Sequence, residues 1–244
     1  MQSLDSHILQ FVPTGATILQ VAPVAFLYGA AMGAFVGWLR ITRGMRTPYT
    51  RKVFHFSIFT GASVVQIAWG LRGVVVYGFV VSLIVLFAVW RGNGFPFYEA
   101  LARTTDEPHR RRFILIPLLT TAIGGGIGNL LFAQYAYIGY LVAGWGDAVG
   151  EPVGTRWGRH RFRVPSLYGV RSTRSVEGST AVFIVGALAA FIGAVAAGVP
   201  AGDALRMASA AGAAGALVEA CSPHGLDNLT VQVAATAMAA LIAA

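Results

Sequence analysis

The stretch GWGDAVGEPVGTRWGRHRF, residues 144–162, decides how the rest of the chain is interpreted. It begins at the end of a long apolar run and finishes among arginines, with two carboxylates, Asp147 and Glu151, in the transition. In a helix, residues four positions apart share one face. A carboxylate within an apolar helix is costly unless it is paired, protonated or bound to a metal ion. The surroundings of these two acids therefore have to be established first.

Composition places the chain in a lipid bilayer. Of its 244 residues, 56% are hydrophobic and 11% charged, and the mean hydropathy is +0.65, whereas soluble domains carry about 25% charged residues. A net charge of +8 would in other contexts indicate nucleic-acid binding. Here the basic residues form short clusters between apolar segments, which is the pattern of membrane topology. We expect an integral membrane protein with no nucleic-acid partner, and its one cysteine excludes an internal disulfide.

Apolar segments of membrane-spanning length recur along the chain, since a bilayer core about 30 Å thick needs about 20 apolar residues per helix. The sequence predicts an all-α integral membrane protein in which residues 1–244 form a single polytopic domain of about eight transmembrane helices. The first residues carry no basic leader with a cleavage site, so we expect them to belong to the mature chain. The predicted helices are Ile18–Leu39, Val53–Leu71, Val74–Trp90, Phe113–Phe132, Tyr135–Val153, Thr180–Val199, Ala204–Ala220 and Thr230–Ala244.

The basic residues are distributed unevenly between the predicted loops. All but two of the 18 Lys and Arg residues follow the first, third or fifth predicted helix, and the exceptions are Arg72 and Arg206. Since positively charged loops remain in the cytoplasm, we expect the N-terminus outside and the arginine-rich loops, including residues 154–179, inside. All basic residues except Lys52 are arginine, which is common in GC-rich bacterial genomes, so we expect the bacterial inner (cell) membrane.

A row of glycines accompanies the two acids. Glycine at every fourth position of a helix lets another helix or a ligand approach the backbone closely, and the pattern alone favours helix packing. Acids inside a membrane, in contrast, are functional by default. Two carboxylates on one face suit Mg²⁺, and Mg²⁺ beside an arginine-rich loop indicates a nucleoside triphosphate. The glycines are Gly146, Gly150, Gly154 and Gly158.

Residues 147–178 resemble the nucleotide-binding signature of the CTP-dependent polyprenol kinases, the family of dolichol kinase, phytol kinase and their bacterial relatives. That signature reads roughly D-x-x-A-x-x-x-G-x-x-x-G, followed by a basic segment that ends K-K-T-x-E-G. Asp147, Gly154 and Gly158 match its first part, and Glu177 and Gly178 match its end.

The match has three departures. Gly150 stands where the signature has Ala. Thr173, Arg174 and Ser175 stand in place of K-K-T, so Arg174 alone supplies the positive charge. The segment between Gly158 and Thr173 is several residues longer than in the family pattern.

Two further motifs are similar to those of the same family. RKVFH, residues 51–55, resembles its basic-His motif, and VEACSPHGLDNLTV, residues 218–231, resembles its late E-x-x-S-P-x-G-L-D-N-L segment. Matched motifs therefore span most of residues 51–231, in the family's order and all on the predicted cytoplasmic side.

The resemblance implies a membrane lipid-alcohol kinase that transfers the γ-phosphate of CTP, or of another nucleoside triphosphate, to a prenol such as phytol, geranylgeraniol or dolichol. It implies Mg²⁺ as cofactor, with Asp147, Glu177 and Asp227 as candidate ligands. The implied catalytic residues are Asp147, Glu151, His55 and Glu177, and either a carboxylate or His55 orients the alcohol. An oligomer is compatible with this function. The implied nucleotide-binding residues are Arg51, Lys52, Gly150, Gly154, Gly158, Arg174, Ser175, Gly178, Ser179, Asp227 and Asn228.

Other functions remain open at this stage. A phosphatidate cytidylyltransferase also uses CTP and Mg²⁺, but the late D-x-x-D-type metal segment associated with that family is missing. A diacylglycerol kinase differs only in the lipid. A transporter that uses Asp147 and Glu151 as an ion relay would be expected to contain a repeat, and no second copy of GDAVGEPVG is present.

Several motifs also have a purely structural interpretation. Asp227 and Asn228 could cap the last helix, and residues 177–179 could cap the sixth. Such helix N-termini would in addition suit phosphate. GGGIG, residues 124–128, indicates close helix packing, because the Lys-Ser/Thr of a P-loop does not follow it.

Overall fold

The computed structural model describes residue 9 and residues 11–165, 172–223 and 225–244. Arg171 and His224, which belong to the predicted cytoplasmic loops, lie outside the described residues. The chain divides into two compact units, residues 1–118 and 119–244. The elements are α1 (Gly15–Thr42), α2 (Thr47–Arg91), α3 (Pro96–Leu101), α4 (Arg112–Phe132), α5 (Ala136–Trp157), β1 (Arg161–Val164), β2 (Ser172–Ser175), α6 (Val176–Ala196), α7 (Ala201–Cys221) and α8 (Asp227–Ala243), with 3₁₀ turns at Thr104–Asp106 and Ala133–Tyr135.

Every apolar segment predicted as a helix is helical, with bounds that differ by a few residues. The second and third predicted helices together form α2, and α3 is an additional short helix. Among the described residues, four helical stretches are long and apolar enough to cross a membrane. An all-α membrane protein is thus supported, while the count of eight spans and the outside N-terminus stay predictions. The four stretches are Gly15–Thr42, Thr47–Arg91, Arg112–Trp157 and Val176–Ala196.

Large apolar side chains lie on the outside of the helices. Leu19, Leu27, Phe79, Trp90 and Leu217 are each between 65% and 78% exposed. Such exposure is unfavourable in water, because apolar surface is driven out of it. It is the surface expected of a protein dissolved in lipid.

Within the first unit, α1 is in close contact with α2 and α3. Glycines at every fourth position of α1 form the contact face. A Cβ atom on Gly37 would lie 3.0 Å from the backbone of Pro96, and one on Gly33 would lie 3.1 Å from the ring of Phe97. Small residues at such a face allow close backbone packing in a membrane.

The helix α2 reverses direction at Gly70, whose φ of 63° and ψ of −159° are not helical. The Tyr77 hydroxyl donates a hydrogen bond of 2.9 Å to the carbonyl oxygen of Ile58. In a straight helix these residues would lie about 28 Å apart, so the two halves of α2 run back along each other. The sequence predicted two helices here, and the break falls at one glycine that tolerates positive φ.

A buried ion pair joins α3 to the segment that follows it. Arg110 is 7% exposed and donates hydrogen bonds to Glu99 Oε2 at 2.7 Å and to the Ala102 carbonyl at 2.8 Å. Burial alone would raise the pKa of Glu99, but the hydrogen bonds from Arg110 and the Gly94 N–H outweigh it and lower that pKa. The ionised carboxylate therefore stabilises this part of the first unit at neutral pH.

Within the second unit, α4 contacts α8 through the GGGIG stretch. A Cβ atom on Gly124 would lie 2.7 Å from the Cα of Leu229, and one on Gly128 would lie 3.5 Å from the Thr236 hydroxyl. The packing interpretation of this stretch is confirmed. In the same unit α5 packs on α6, α6 on α7, and α7 on α8, and α8 also contacts α5.

A two-stranded antiparallel hairpin, β1–β2, connects α5 to α6 and was not predicted from the sequence. Arg161 pairs with Ser175 and Phe162 pairs with Arg174. The hairpin occupies the segment where the chain is longer than the polyprenol kinase signature. The all-α prediction therefore has to be extended by this hairpin. The alternation of polar and apolar residues in Arg-Phe-Arg-Val is a pattern that could have predicted the first strand.

Candidate active site

Arg174, at the end of β2, lies between two carboxylates. Its guanidinium contacts Glu219, in the last turn of α7, and its Nη2 lies 3.2 Å from Asp227 Oδ2, at the first residue of α8. The three side chains are only 12%, 13% and 19% exposed. One cation between two anions leaves a net negative charge in a poorly solvated place. Glu219 was not among the predicted site residues.

The N-terminus of α6 directly follows Arg174, with Ser175 as the N-cap and Val176 as the first helical residue. Ser175 is 3% exposed, and its Oγ accepts a hydrogen bond of 3.1 Å from the Gly178 N–H, as an N-cap does. The sequence placed the start of this helix at Ser179 or Thr180, which is wrong by about one turn. Glu177, Gly178 and Ser179 instead lie within the first turn, where free N–H groups create a positive helix end.

The glycine row of α5 faces this turn of α6. A Cβ atom on Gly154 would lie 3.0 Å from Ser175 Oγ, and one on Gly158 would lie 2.6 Å from the same oxygen. A Cβ atom on Gly178 would lie 3.0 Å from the Gly150 carbonyl oxygen, and one on Gly150 would overlap a methyl group of Val182. These glycines pack α5 on α6, and their contact with a nucleotide stays a prediction.

Asp147 and Glu151 are half-buried and lie beside this helix contact rather than in it. Each follows a glycine of the contact face, Gly146 or Gly150, by one residue, which is a rotation of about 100° around the helix. The two carboxylates thus share a face next to the covered glycine face. Their proposed catalytic and metal-binding roles stay predictions.

Glu177 contacts His160 at the base of the hairpin. The ring Nδ1 of His160 lies 2.8 Å from Glu177 Oε1, and the His160 backbone N–H donates to both carboxylate oxygens at 3.3 Å. The Val176 N–H also donates to the His160 carbonyl at 3.0 Å. These bonds fasten the hairpin to the start of α6. The predicted role of Glu177 as a metal ligand is not decided by them.

Asp227 and Asn228 begin α8. Asp227 Oδ1 accepts a hydrogen bond of 3.1 Å from the Asn228 N–H, while its other oxygen faces Arg174. The N-cap position belongs to Leu226, which has no capping side chain, so Asp227 is the first helical residue and not the N-cap that the structural interpretation made possible. Asn228 is 8% exposed, and its Nδ2 donates to Thr121 Oγ1 on α4 at 2.9 Å.

Three carboxylates of this region, those of Asp147, Glu177 and Asp227, are the predicted Mg²⁺ ligands. Across residues 11–165, 172–223 and 225–244, no three His, Cys, Asp or Glu side chains are grouped closely enough to hold a metal ion by themselves. Mg²⁺ usually takes one or two protein carboxylates and completes its shell with water and substrate phosphates. The residues therefore fit a Mg²⁺ that arrives with a triphosphate, and its assignment to Asp147, Glu177 and Asp227 stays a prediction.

The basic-His motif belongs to the first unit. Because α2 begins at Thr47 rather than Val53, Arg51, Lys52 and His55 lie in its second and third turns instead of at its start. The His55 ring stacks on Phe59, with ring centres 4.2 Å apart. The catalytic and nucleotide-binding roles of this motif stay predictions.

Comparison with known proteins gives one informative relative. No family model matches the chain, and no solved structure matches it. A phytol kinase from Synechocystis sp. is 31% identical over 188 residues, which cover 75% of this chain and 74% of the relative. This chain belongs to the phytol kinase-like polyprenol kinase family. The resemblance inferred from the three motifs is thereby confirmed, and the family is one of membrane lipid-alcohol kinases.

For this member of the polyprenol kinase family, the sequence missed two parts of the site. The first is the hairpin that carries Arg174, and the second is Glu219. Glu219 lies eight residues before Asp227, inside the late family motif. An acid in an apolar helix requires a partner, and this signal could have identified Glu219 without naming Arg174 as the partner.

Proposed function

We propose that this protein is a CTP-dependent kinase of the cytoplasmic leaflet that phosphorylates a membrane-dissolved prenol such as phytol, geranylgeraniol or dolichol. The family membership supports phosphoryl transfer to a lipid alcohol. The choice of CTP rests on the resemblance of residues 147–178 to the family's nucleotide signature. The cytoplasmic side rests on the distribution of arginines between the loops, and the bacterial inner membrane rests on the excess of arginine over lysine.

One observation carries the proposal: two helix N-termini meet at Arg174. This residue lies two positions before the first residue of α6 and contacts Asp227, the first residue of α8. Helix N-termini present N–H groups and partial positive charge that favour phosphate. An arginine at the same place adds a full positive charge and a planar pair of donors. This is the combination that a triphosphate requires.

In the reaction we propose, the alcohol oxygen forms a bond to the γ-phosphorus, and the bond from that phosphorus to the β–γ bridging oxygen breaks. CDP leaves, the product is the prenyl monophosphate, and the hydroxyl proton passes to the group that orients the alcohol, a carboxylate or His55. Arg174 neutralises the triphosphate, and the resemblance assigns the same role to Arg51 and Lys52. Asp147 and one further carboxylate would hold Mg²⁺, which when bound would offset charge on the phosphate oxygens.

The two substrates approach from different phases. The triphosphate is water-soluble and arrives from the cytoplasm, while the prenol tail stays in the bilayer and presents only its hydroxyl. No alternating access is needed, since neither substrate crosses the membrane. We therefore expect a polar cleft that is open to the cytoplasm and to the side of the lipid.

The test uses the full chain purified in detergent, with Mg²⁺, a panel of prenols, diacylglycerol and phosphatidate, and CTP labelled at the γ or at the α phosphate. Label from the γ position on a prenol supports the proposal. Label only on diacylglycerol, or a CDP-lipid carrying α label with release of pyrophosphate, would replace it by one of the alternatives. The Asp147→Asn variant, purified in the same way, controls for a contaminating kinase.

A further inference from the structure

We infer that Glu219 is a positioning residue of this site: it holds Arg174 in place for the triphosphate. The inference rests on the proposed function, in which Arg174 binds the triphosphate. It adds a residue that carried no role in the sequence-based prediction.

Hydrogen bonds join the end of α7, which carries Glu219, to the start of α8, which carries Asp227. Glu219 precedes the end of α7 by two residues, and the hydroxyl of Ser222, directly after α7, lies 2.6 Å from the hydroxyl of Thr230 in α8. Ser222 is 3% exposed, so this bond is shielded from water. The Leu226 N–H donates to the Pro223 carbonyl at 3.0 Å and closes the turn between the two helices. These bonds therefore hold Glu219, near the end of α7, and Asp227, at the start of α8, in a fixed position relative to each other.

Arg174 comes to this connection from a different element, the strand β2. One Nη atom contacts Glu219 and the other contacts Asp227. A long arginine side chain loses rotamer freedom when it is fixed, and an arginine held in advance binds phosphate without that loss. The carboxylates of Glu219 and Asp227 fix the Arg174 side chain in this way before the nucleotide binds.

The two carboxylates differ in what they can do next. Asp227 starts α8 at a positive helix end and is the candidate Mg²⁺ ligand, so its bond to Arg174 is the one that a metal-bound triphosphate would replace. Glu219 then remains as the anion that compensates Arg174 in a site with little water. A buried arginine left without any carboxylate would be strongly disfavoured. This division of roles explains why the site contains two acids for one arginine.

The test is a double-mutant cycle on Glu219→Gln and Arg174→Ala, with KM for CTP and kcat measured separately at saturating prenol. Removing one charged hydrogen bond predicts a KM for CTP raised about ten- to hundredfold in Glu219→Gln, with a smaller change in kcat. If Glu219 acts only through Arg174, the double variant matches Arg174→Ala alone. Glu219→Asp, which keeps the charge on a shorter side chain, should recover part of the loss.

The matched control is Asp203→Asn. Asp203 is in the first turn of the same helix and pairs with Arg206, but both side chains are more than half exposed, so its kinetics should equal those of the wild type. Kinetics of Glu219→Gln equal to the wild type would overturn the inference, and so would effects of Glu219→Gln and Arg174→Ala that multiply.

Failure of the proposed function is distinguishable from failure of this inference. A wild-type protein that transfers phosphate to no alcohol disproves the kinase proposal. The same proteins are then compared by the shift in thermal unfolding that Mg²⁺–CTP causes. A shift that is reduced in Glu219→Gln, with the double variant giving the same shift as Arg174→Ala alone, supports the inference, whereas a shift in Glu219→Gln equal to that of the wild type overturns it.

Discussion

The contact between α4 and α8 allows a prediction whose magnitude follows from the coordinates. Gly124 and Gly126 lie two residues apart on α4, and alanine is better than glycine in a helix interior by about 0.5–1 kcal/mol at either position. At Gly126, nothing lies within 4 Å of the added Cβ. At Gly124, the Cβ would lie 2.7 Å from the Cα and 3.1 Å from the carbonyl oxygen of Leu229. These are backbone atoms, which cannot turn away.

Carbon atoms that are not bonded prefer separations of about 3.5–4.0 Å, so Gly124→Ala would force the helices apart by roughly 0.8 Å or more. Overpacking of this kind costs about 1–3 kcal/mol. We expect Gly126→Ala to be slightly more stable than the wild type and Gly124→Ala to be less stable than Gly126→Ala by about 1–3 kcal/mol, because the helix preference of alanine cancels between the two.

The assay is thermal unfolding of the two variants in the same detergent, followed by circular dichroism. At about 2–4 °C per kcal/mol for a chain of this size, the midpoint of Gly124→Ala should lie roughly 2–12 °C below that of Gly126→Ala. Equal midpoints would show that α4 and α8 do not approach as closely as described, and the packing argument for the GGGIG stretch would fail.

Three further predictions concern single side chains. Asp147→Asn should fold while its Mg²⁺-dependent turnover falls by about a hundredfold or more, as expected for loss of a metal ligand; a folded variant of nearly full activity would remove Asp147 from the site. Arg174→Ala should raise KM for CTP far more than Arg163→Ala, a control from the same hairpin, and Arg174→Lys should keep partial activity because it retains a point charge without the fork; equal losses at both arginines would mean that only total charge matters. Because the pKa of Glu99 is lowered by its bonds to Arg110 and Gly94, its stabilising contribution is present at neutral pH and lost as pH falls through its folded pKa. The thermal midpoints of the wild type and Glu99→Gln should therefore differ at pH 7 and converge as pH falls below the ordinary glutamate pKa of about 4.3 and through the lowered pKa of the folded protein, whereas a constant gap would refute the role of the ionised pair.

Hydropathy was sufficient to predict the long apolar helices but not the short helix α3, because membrane helices need long apolar runs that few other structures produce. The break in α2 was also predictable as a gap between apolar segments, although its position at Gly70 was not. The start of α6 was misplaced because Ser175 and Ser179 are both possible caps in the sequence. Only the hairpin decides between them, since it presents Ser175 to the glycine face of α5.

The contacts of Arg174 could not be predicted from the sequence. Its partners follow it by 45 and 53 positions, and such pairings depend on how α7 and α8 pack rather than on any local pattern. The contact of Glu177 could not be predicted from the sequence either. It matches the family signature, yet its observed partner is His160, a residue in a segment where this chain departs from that signature.

The reversal of α2 at Gly70 affects which side of the membrane the segments before and after this helix occupy. Because the two halves turn back on each other without an intervening loop, the chain leaves α2 at the end where it entered. The segment before Thr47 and the segment after Arg91 therefore share one face of the membrane whether each half crosses fully, partly or not at all. Loss or lengthening of this helix pair changes the number of crossings by an even number. The membrane orientation of every later helix is then unaffected, because two crossings added or removed together leave the following segment on the same side.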